Sequence, residues 1–239
     1  MKAQSRTPYF LFTALLLNAT ASQAAILYEN DFQTAAGSEW SQTTLQNAPT
    51  PYSFGPRSFL GEFGNDTVSL NLSGLTPHDS LLLTFDLYLI RTWDCSSSGT
   101  AFDYGNDSFK VSVGNGPILL DKTFSNGNPA GQSFGPAAIN PAFTGAAETY
   151  SLGYVEYDGI QQTSQVMDSV YRMSFAFAHN TDLLTLNFSG YGLQGLADES
   201  WGLDNVQVSS AVPEPGVAPM LALGLLALAW HVRRRVTAV

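Results

Sequence analysis

Residues 108–113 read Ser-Phe-Lys-Val-Ser-Val, with apolar side chains at the odd positions and polar ones at the even positions. A period of two places Phe109, Val111 and Val113 on one face of an extended strand and the polar residues on the other, so one face meets a core and one meets water. Working outward, runs rich in β-branched and aromatic residues recur at 26–32, 67–72, 81–90, 118–124, 170–178, 183–189 and 202–208, separated by Gly, Asn, Asp, Ser and Pro. No stretch of about ten residues among them carries a helical stripe. Many short strands with turn signals predict an all-β fold, a two-sheet antiparallel β-sandwich of jelly-roll type. Residues 125–165 depart from this pattern: Gly, Pro, Asn and Ala abound and alternation fades, which reads as one long loop.

Both ends of the chain differ from this body. Lys2 and Arg6 precede an apolar run from Tyr9 to Leu17, and small residues follow up to Ala24. That layout predicts a secretory signal peptide over residues 1–24, too short to span a bilayer as an anchor. At the other end, Val212, Pro213, Glu214 and Pro215 form a rigid turn, residues 217–232 are mostly apolar, and Arg233, Arg234 and Arg235 follow. The prolines hold their neighbours extended. The apolar stretch, about 16 residues or roughly 24 Å as a helix, crosses a membrane if the bilayer thins slightly. Three arginines then keep the C-terminus cytoplasmic. This order resembles the PEP-CTERM sorting signal, also known as the ice-binding protein C-terminal domain. The resemblance implies Sec translocation, anchoring in the inner membrane of a Gram-negative bacterium, recognition by an exosortase with cleavage near Pro213, Glu214 and Pro215, and release to the cell surface or extracellular matrix. An anchor that is never cut stays open as the alternative.

Residues 25–211 form the remaining domain, about 187 residues and enough for a sizeable core. Five basic residues stand there against nineteen acidic ones, a net charge of −14. Such a surface repels phosphate backbones and excludes nucleic acid as a partner, while suiting divalent cations. One cysteine, Cys95, in a chain bound for an oxidising compartment leaves no intramolecular disulfide.

The acids fall into groups. Glu29, Asn30 and Asp31 lie near the start of the body; Asp198, Glu199, Asp204 and Asn205 lie near its end. The spans 28–40 and 199–208 resemble the opening and closing strands of jelly-roll carbohydrate-binding modules. In those modules the two strands lie side by side and their acids often share a calcium ion, so the resemblance implies a structural Ca2+ at Glu29, Asp31, Asp198 and Asp204. The plainer reading is that these carboxylates cap turns in solvent. Asp103, Asn106 and Asp107 read most simply as turn chemistry. Asp86 interrupts an apolar strand; facing inward it needs Arg91 or Arg172 as a partner, and facing outward it can bond a sugar hydroxyl. Tyr88, Arg91, Trp93 and Asp94 beside it make a candidate glycan-contact patch, because sugar rings stack on aromatic faces while their hydroxyls bond Asp and Arg. Strand aromatics also fill cores.

Against catalysis, the body has only His78 and His179, and no nucleophile elbow, HExxH helix, CxxC pair or phosphate loop. The expectation is a non-enzymatic glycan-binding or structural module associated with exopolysaccharide. The alternative is a secreted polysaccharide-active hydrolase on the same scaffold, and a matrix protein without ligand is a third class.

Overall fold

The computed structural model describes residues 24–49, 57–95, 106–127, 131–158 and 163–210, together with Gly224. The signal peptide, the Pro-Glu-Pro motif, the apolar tail helix and the terminal arginines lie outside the described residues. So do Asp103 and the serines after Cys95. Residues Ala24–Ala211 make one compact unit.

That unit is built from antiparallel strands. They are β1 (Ile26–Asn30), β2 (Leu45–Asn47), β3 (Ser58–Phe63), β4 (Thr67–Ser73), β5 (Ser80–Arg91), β6 (Ser108–Val113), β7 (Ile118–Thr123), β8 (Gly131–Gln132), β9 (Asn140–Pro141), β10 (Glu148–Thr149), β11 (Val155–Asp158), β12 (Thr163–Val166), β13 (Asp168–Ala178), β14 (Leu183–Tyr191) and β15 (Glu199–Ser210). One sheet runs β10-β13-β5-β15-β3-β2, with β1 also on β15; a four-stranded sheet runs β4-β14-β6-β7. The first and last strands pair directly, Glu29 opposite Gln207.

Alternation explains the sandwich. Along β5, Leu81, Leu83, Phe85, Leu87 and Leu89 are buried and belong to the main core. From the other sheet come Val68, Leu70, Phe109, Val111, Leu184, Leu186 and Phe188. Their rings interlock: Phe85 meets Phe188 edge-on at 5.2 Å, and Trp201 lies 5.0 Å from Phe109 and 4.9 Å from Phe63. Aromatic pairs in this geometry add to area burial. Trp201 Nε1 donates to the Gly64 carbonyl at 2.8 Å, so its one polar atom is satisfied inside the core.

The expected loop at 125–165 is instead largely organised. Two short ribbons, β8–β9 and β11–β12, form in it, and β10 joins the edge of the large sheet. The cause is a second small core on that sheet's outer face, made of Ala48, Phe59, Tyr88, Ile90, Leu152, Tyr154 and Val170. Buried Asp168 holds the segment above it. Its Oδ1 accepts the N–H groups of Ser151 and Leu152 at 2.8 and 3.0 Å, and its Oδ2 those of Gly153 and Tyr154 at 2.8 and 3.1 Å.

Strand β3 was not legible as a strand because Gly61 breaks the pattern. The glycine is required by close approach: a Cβ there would stand 2.7 Å from the Phe59 ring and 3.1 Å from Gly202 Cα.

A candidate cation centre and a candidate ligand face

At one end of the sandwich, three carboxylates from separate parts of the chain converge. Asp94 follows β5, Asp107 precedes β6, and Glu199 opens β15. The chain turns sharply after β5, with positive φ at Arg91 (70°) and Cys95 (58°). Gly192, at φ +84°, lets the β14–β15 connection pass beneath the Asn106 carbonyl, where a Cβ would come within 2.3 Å. That connection is clamped to the rest. Thr92 N–H donates to the Asp198 carbonyl at 3.0 Å, Asn65 Nδ2 to the Leu193 carbonyl at 2.6 Å, and Trp93 Nε1 to the Ser200 carbonyl at 2.8 Å.

One oxygen from each of Asp94, Asp107 and Glu199 lies within 4.8 Å of the other two, so the group could hold a metal ion. Asp107 and Glu199 are fully buried, and Asp94 is half-buried. Asp107 Oδ2 faces the backbone and accepts the N–H groups of Asp94 at 2.5 Å and Cys95 at 3.0 Å; Glu199 Oε2 accepts that of Gln194 at 2.8 Å. Among the described residues, three other oxygens, Oδ1 of Asp94, Oδ1 of Asp107 and Oε1 of Glu199, are buried without a hydrogen-bond partner. Burial, and then mutual repulsion, pushes the Asp107 and Glu199 carboxyls well above the usual range. Asp94 is also raised, chiefly by burial.

The outer face of the large sheet carries a different arrangement. Asp86 points outward, across from Arg172 on β13 and Asp204 on β15. Asn205 Nδ2 donates to Asp86 Oδ2 at 2.9 Å, and Arg172 Nε stands 3.9 Å from Asp86 Oδ1. Arg172 also reaches Glu148 at 3.4 Å, which Arg57 meets at 2.8 Å. Near this row, Glu29, Asn30, Asp31, Thr34 and Asn205 line an open cleft. A bulge in β15 between Asp204 and Gln207, with Asn205 at φ 50°, brings that amide to the surface.

The two predicted clusters are therefore rearranged. Of the aromatic patch, Trp93 is 0% exposed and packs edge-on to Phe124, and Tyr88 is 2% exposed beneath the second core. Neither ring offers a face for a sugar to stack on. Arg91 does not pair with Asp86: its Nη1 donates to Glu62 Oε2 at 2.7 Å and the Leu196 carbonyl at 2.9 Å, and its guanidinium lies over the Tyr154 ring. Asp94 joins the carboxylate triad, and of that patch Asp86 enters the polar row with Arg172 and Asn205 on the outer face. Of the expected calcium set, Glu29 and Asp31 share the cleft. Asp204 lies close by but accepts the Tyr88 hydroxyl at 2.7 Å, and burial lifts its carboxyl to about 6. Asp198 precedes β15 and lies six residues from Asp204 along an extended chain, roughly 20 Å, too far to share an ion.

The triad thus joins residues that the sequence assigned to three different roles: Asp94 to a glycan patch, Asp107 to a turn, Glu199 to the closing strand. Its only signal in sequence was that each acid flanks a strand end. No family model and no curated protein matches the chain. Among solved structures it is similar to the K3 cleaved adhesin domain of Lys-gingipain from Porphyromonas gingivalis w83, at 14% identity and a TM-score of 0.38, over 78% of this chain and 100% of that one. It is also similar to a family 35 carbohydrate-binding module from Clostridium thermocellum, at 10% identity and a TM-score of 0.35, over 80% of this chain and 100% of that one. A third is the C-terminal CBM6 of the marine laminarinase LamC from Zobellia galactanivorans, at 9% identity and a TM-score of 0.31, over 77% and 93% of the respective chains.

Proposed function

We propose that the chain is an exported β-sandwich that binds glycan without cleaving it, at the cell envelope or in an exopolysaccharide matrix. The observation that carries the glycan reading is the outer-face row of Arg172, Asp86 and Asn205, whose side chains stand out from the sheet beside an open polar cleft. Charged and amide groups held in place in this way suit a ligand rich in hydroxyls.

A non-catalytic role fits the same geometry. Glycoside hydrolysis uses one acid and one nucleophile or base facing each other across the bond. Here Asp86 is engaged by Asn205 and Arg172, Glu148 by Arg57 and Arg172, and Asp204 by Tyr88. The ion in this reading is calcium, a hard cation that takes oxygen ligands and is used by extracellular modules. Export rests on residues 1–24 and on the tail with Pro213, Glu214, Pro215 and the three arginines.

Glycan-array binding by the full-length chain tests the face: Arg172→Ala and Asp86→Ala should each weaken binding about tenfold or more, as loss of a charge-assisted hydrogen bond implies. Binding unchanged by both rejects it, and reducing sugar released from matrix polysaccharide favours the hydrolase. Mass spectrometry of the envelope form should find a C-terminus near Pro213, and Glu214→Ala should leave the tail attached.

A further inference from the structure

We propose that Asp94, Asp107 and Glu199 form a buried site for one hard divalent cation of calcium's class, which ties the β5–β6 connection to the start of β15. This inference rests on the calcium in the preceding reading, though not on its glycan, and it places the ion away from the Glu29 and Asp31 cleft.

Three independent features point to a ligand. The first is distance. Two oxygens bound to one calcium at about 2.4 Å can be at most about 4.8 Å apart, and the three donors here meet that limit mutually. The second is the orphaned oxygens. Every carboxylate of the triad keeps one buried oxygen unpaired, and two of the three residues are wholly enclosed. A buried polar atom left unpaired is costly, so three on one cluster of side chains mark a missing partner rather than a packing detail. Asp168 in the same protein shows the contrast, with all its oxygens capped by backbone N–H groups.

The third feature is charge. Asp198 adds a further acid, close enough to raise both Asp94 and Glu199. Arg91, three residues before Asp94, turns its guanidinium to Glu62, Leu196 and Ser200 instead. Among the described residues, the strongest influences on the triad carboxyls are burial, backbone N–H groups and the neighbouring acids. A metal ion would set positive charge against these clustered acids. Calcium completes its six to eight ligands with backbone carbonyls and water, whereas zinc favours nitrogen and sulfur donors.

The site would act as a clasp. Asp107 precedes β6 in the four-stranded sheet, while Asp94 and Glu199 flank β5 and β15 in the large one. An ion shared among them bridges the two sheets at one end.

The test uses the full-length chain stripped with EDTA. Added Ca2+ should raise the melting temperature by several degrees, as binding to the native state alone requires. Tb3+ should show luminescence sensitised by Trp93 or Trp201, and Ca2+ should quench it by competition. Asp107→Asn and Glu199→Gln, each keeping side-chain volume, should weaken Ca2+ binding at least tenfold, and the half-buried Asp94→Asn serves if those two fail to fold. Glu29→Gln with Asp31→Asn should leave the response intact. No calcium response in the parent chain, an undiminished one in the triad variants, or loss of it in the cleft double variant overturns the assignment. Glycan binding is scored separately: a chain that takes the ion but binds no glycan keeps this site and loses the face, and the reverse result does the opposite.

Discussion

Asp168 and the Asp94–Asp107–Glu199 group are both buried acids in one acidic protein, yet their surroundings are opposite. Asp168 receives four backbone N–H groups and holds a loop in place. The triad receives three such bonds on two oxygens and leaves three other oxygens without partners. The first arrangement is complete within the fold; the second is complete only with something added. Burial alone therefore does not mark a site, whereas burial without satisfaction does.

The largest effect that would sharpen this contrast is expected at Asp168. Asp168→Asn keeps the shape but turns an amide donor toward two N–H donors, and it should cost about 3 kcal/mol of stability, read from urea denaturation. A loss under about 0.5 kcal/mol would mean the loop does not depend on that carboxylate. In the triad the sign should reverse. Without metal, Glu199→Gln removes an uncompensated buried acid and should stabilise the chain by about 1–2 kcal/mol. A clear destabilisation of the metal-free protein would break the comparison.

Smaller changes belong to the exposed acids. Glu29→Gln and Asp31→Asn should each shift stability by less than about 0.5 kcal/mol, because open surface charges are well solvated. The smallest effect concerns His179, just past the end of β13. His78 and His179 stack at 5.0 Å, joined Nε2 to Nδ1 at 2.7 Å. Partial burial, then the charge of His78, holds His179 below the ordinary imidazole value of 6.5. A lowered value means the unfolded chain binds the proton more readily. The stability it contributes is therefore present above 6.5 and lost as pH falls below that. Melting temperatures across pH 5–8 should show this loss, and His179→Gln should flatten it.

Much of the scaffold was readable from residue order. All eight predicted strand runs lie within or overlap strands of the structure, and Ser108–Val113 has the expected bounds. What was missed has local causes. Gly61 hid β3, since a glycine needed for close approach looks the same in sequence as one needed for a turn. The segment after Ser125 lacks alternation because its order comes from Asp168 and a small core on the sheet's outer face. Trp93 and Tyr88 looked like ligand aromatics because sequence lists a ring without saying what covers it.

The sequence by itself determined the β-rich body, the face each strand turns inward, the acidic balance and the distinctive composition of both ends, since these depend on backbone periodicity and on counting. Only the tertiary structure decided which acids meet. Asp94 and Asp107 are thirteen positions apart and Glu199 is far beyond both, so their convergence depends on strand register and on turns at Arg91, Cys95 and Gly192. The same physics separated Asp198 from Asp204, close neighbours along the chain that an extended strand carries apart.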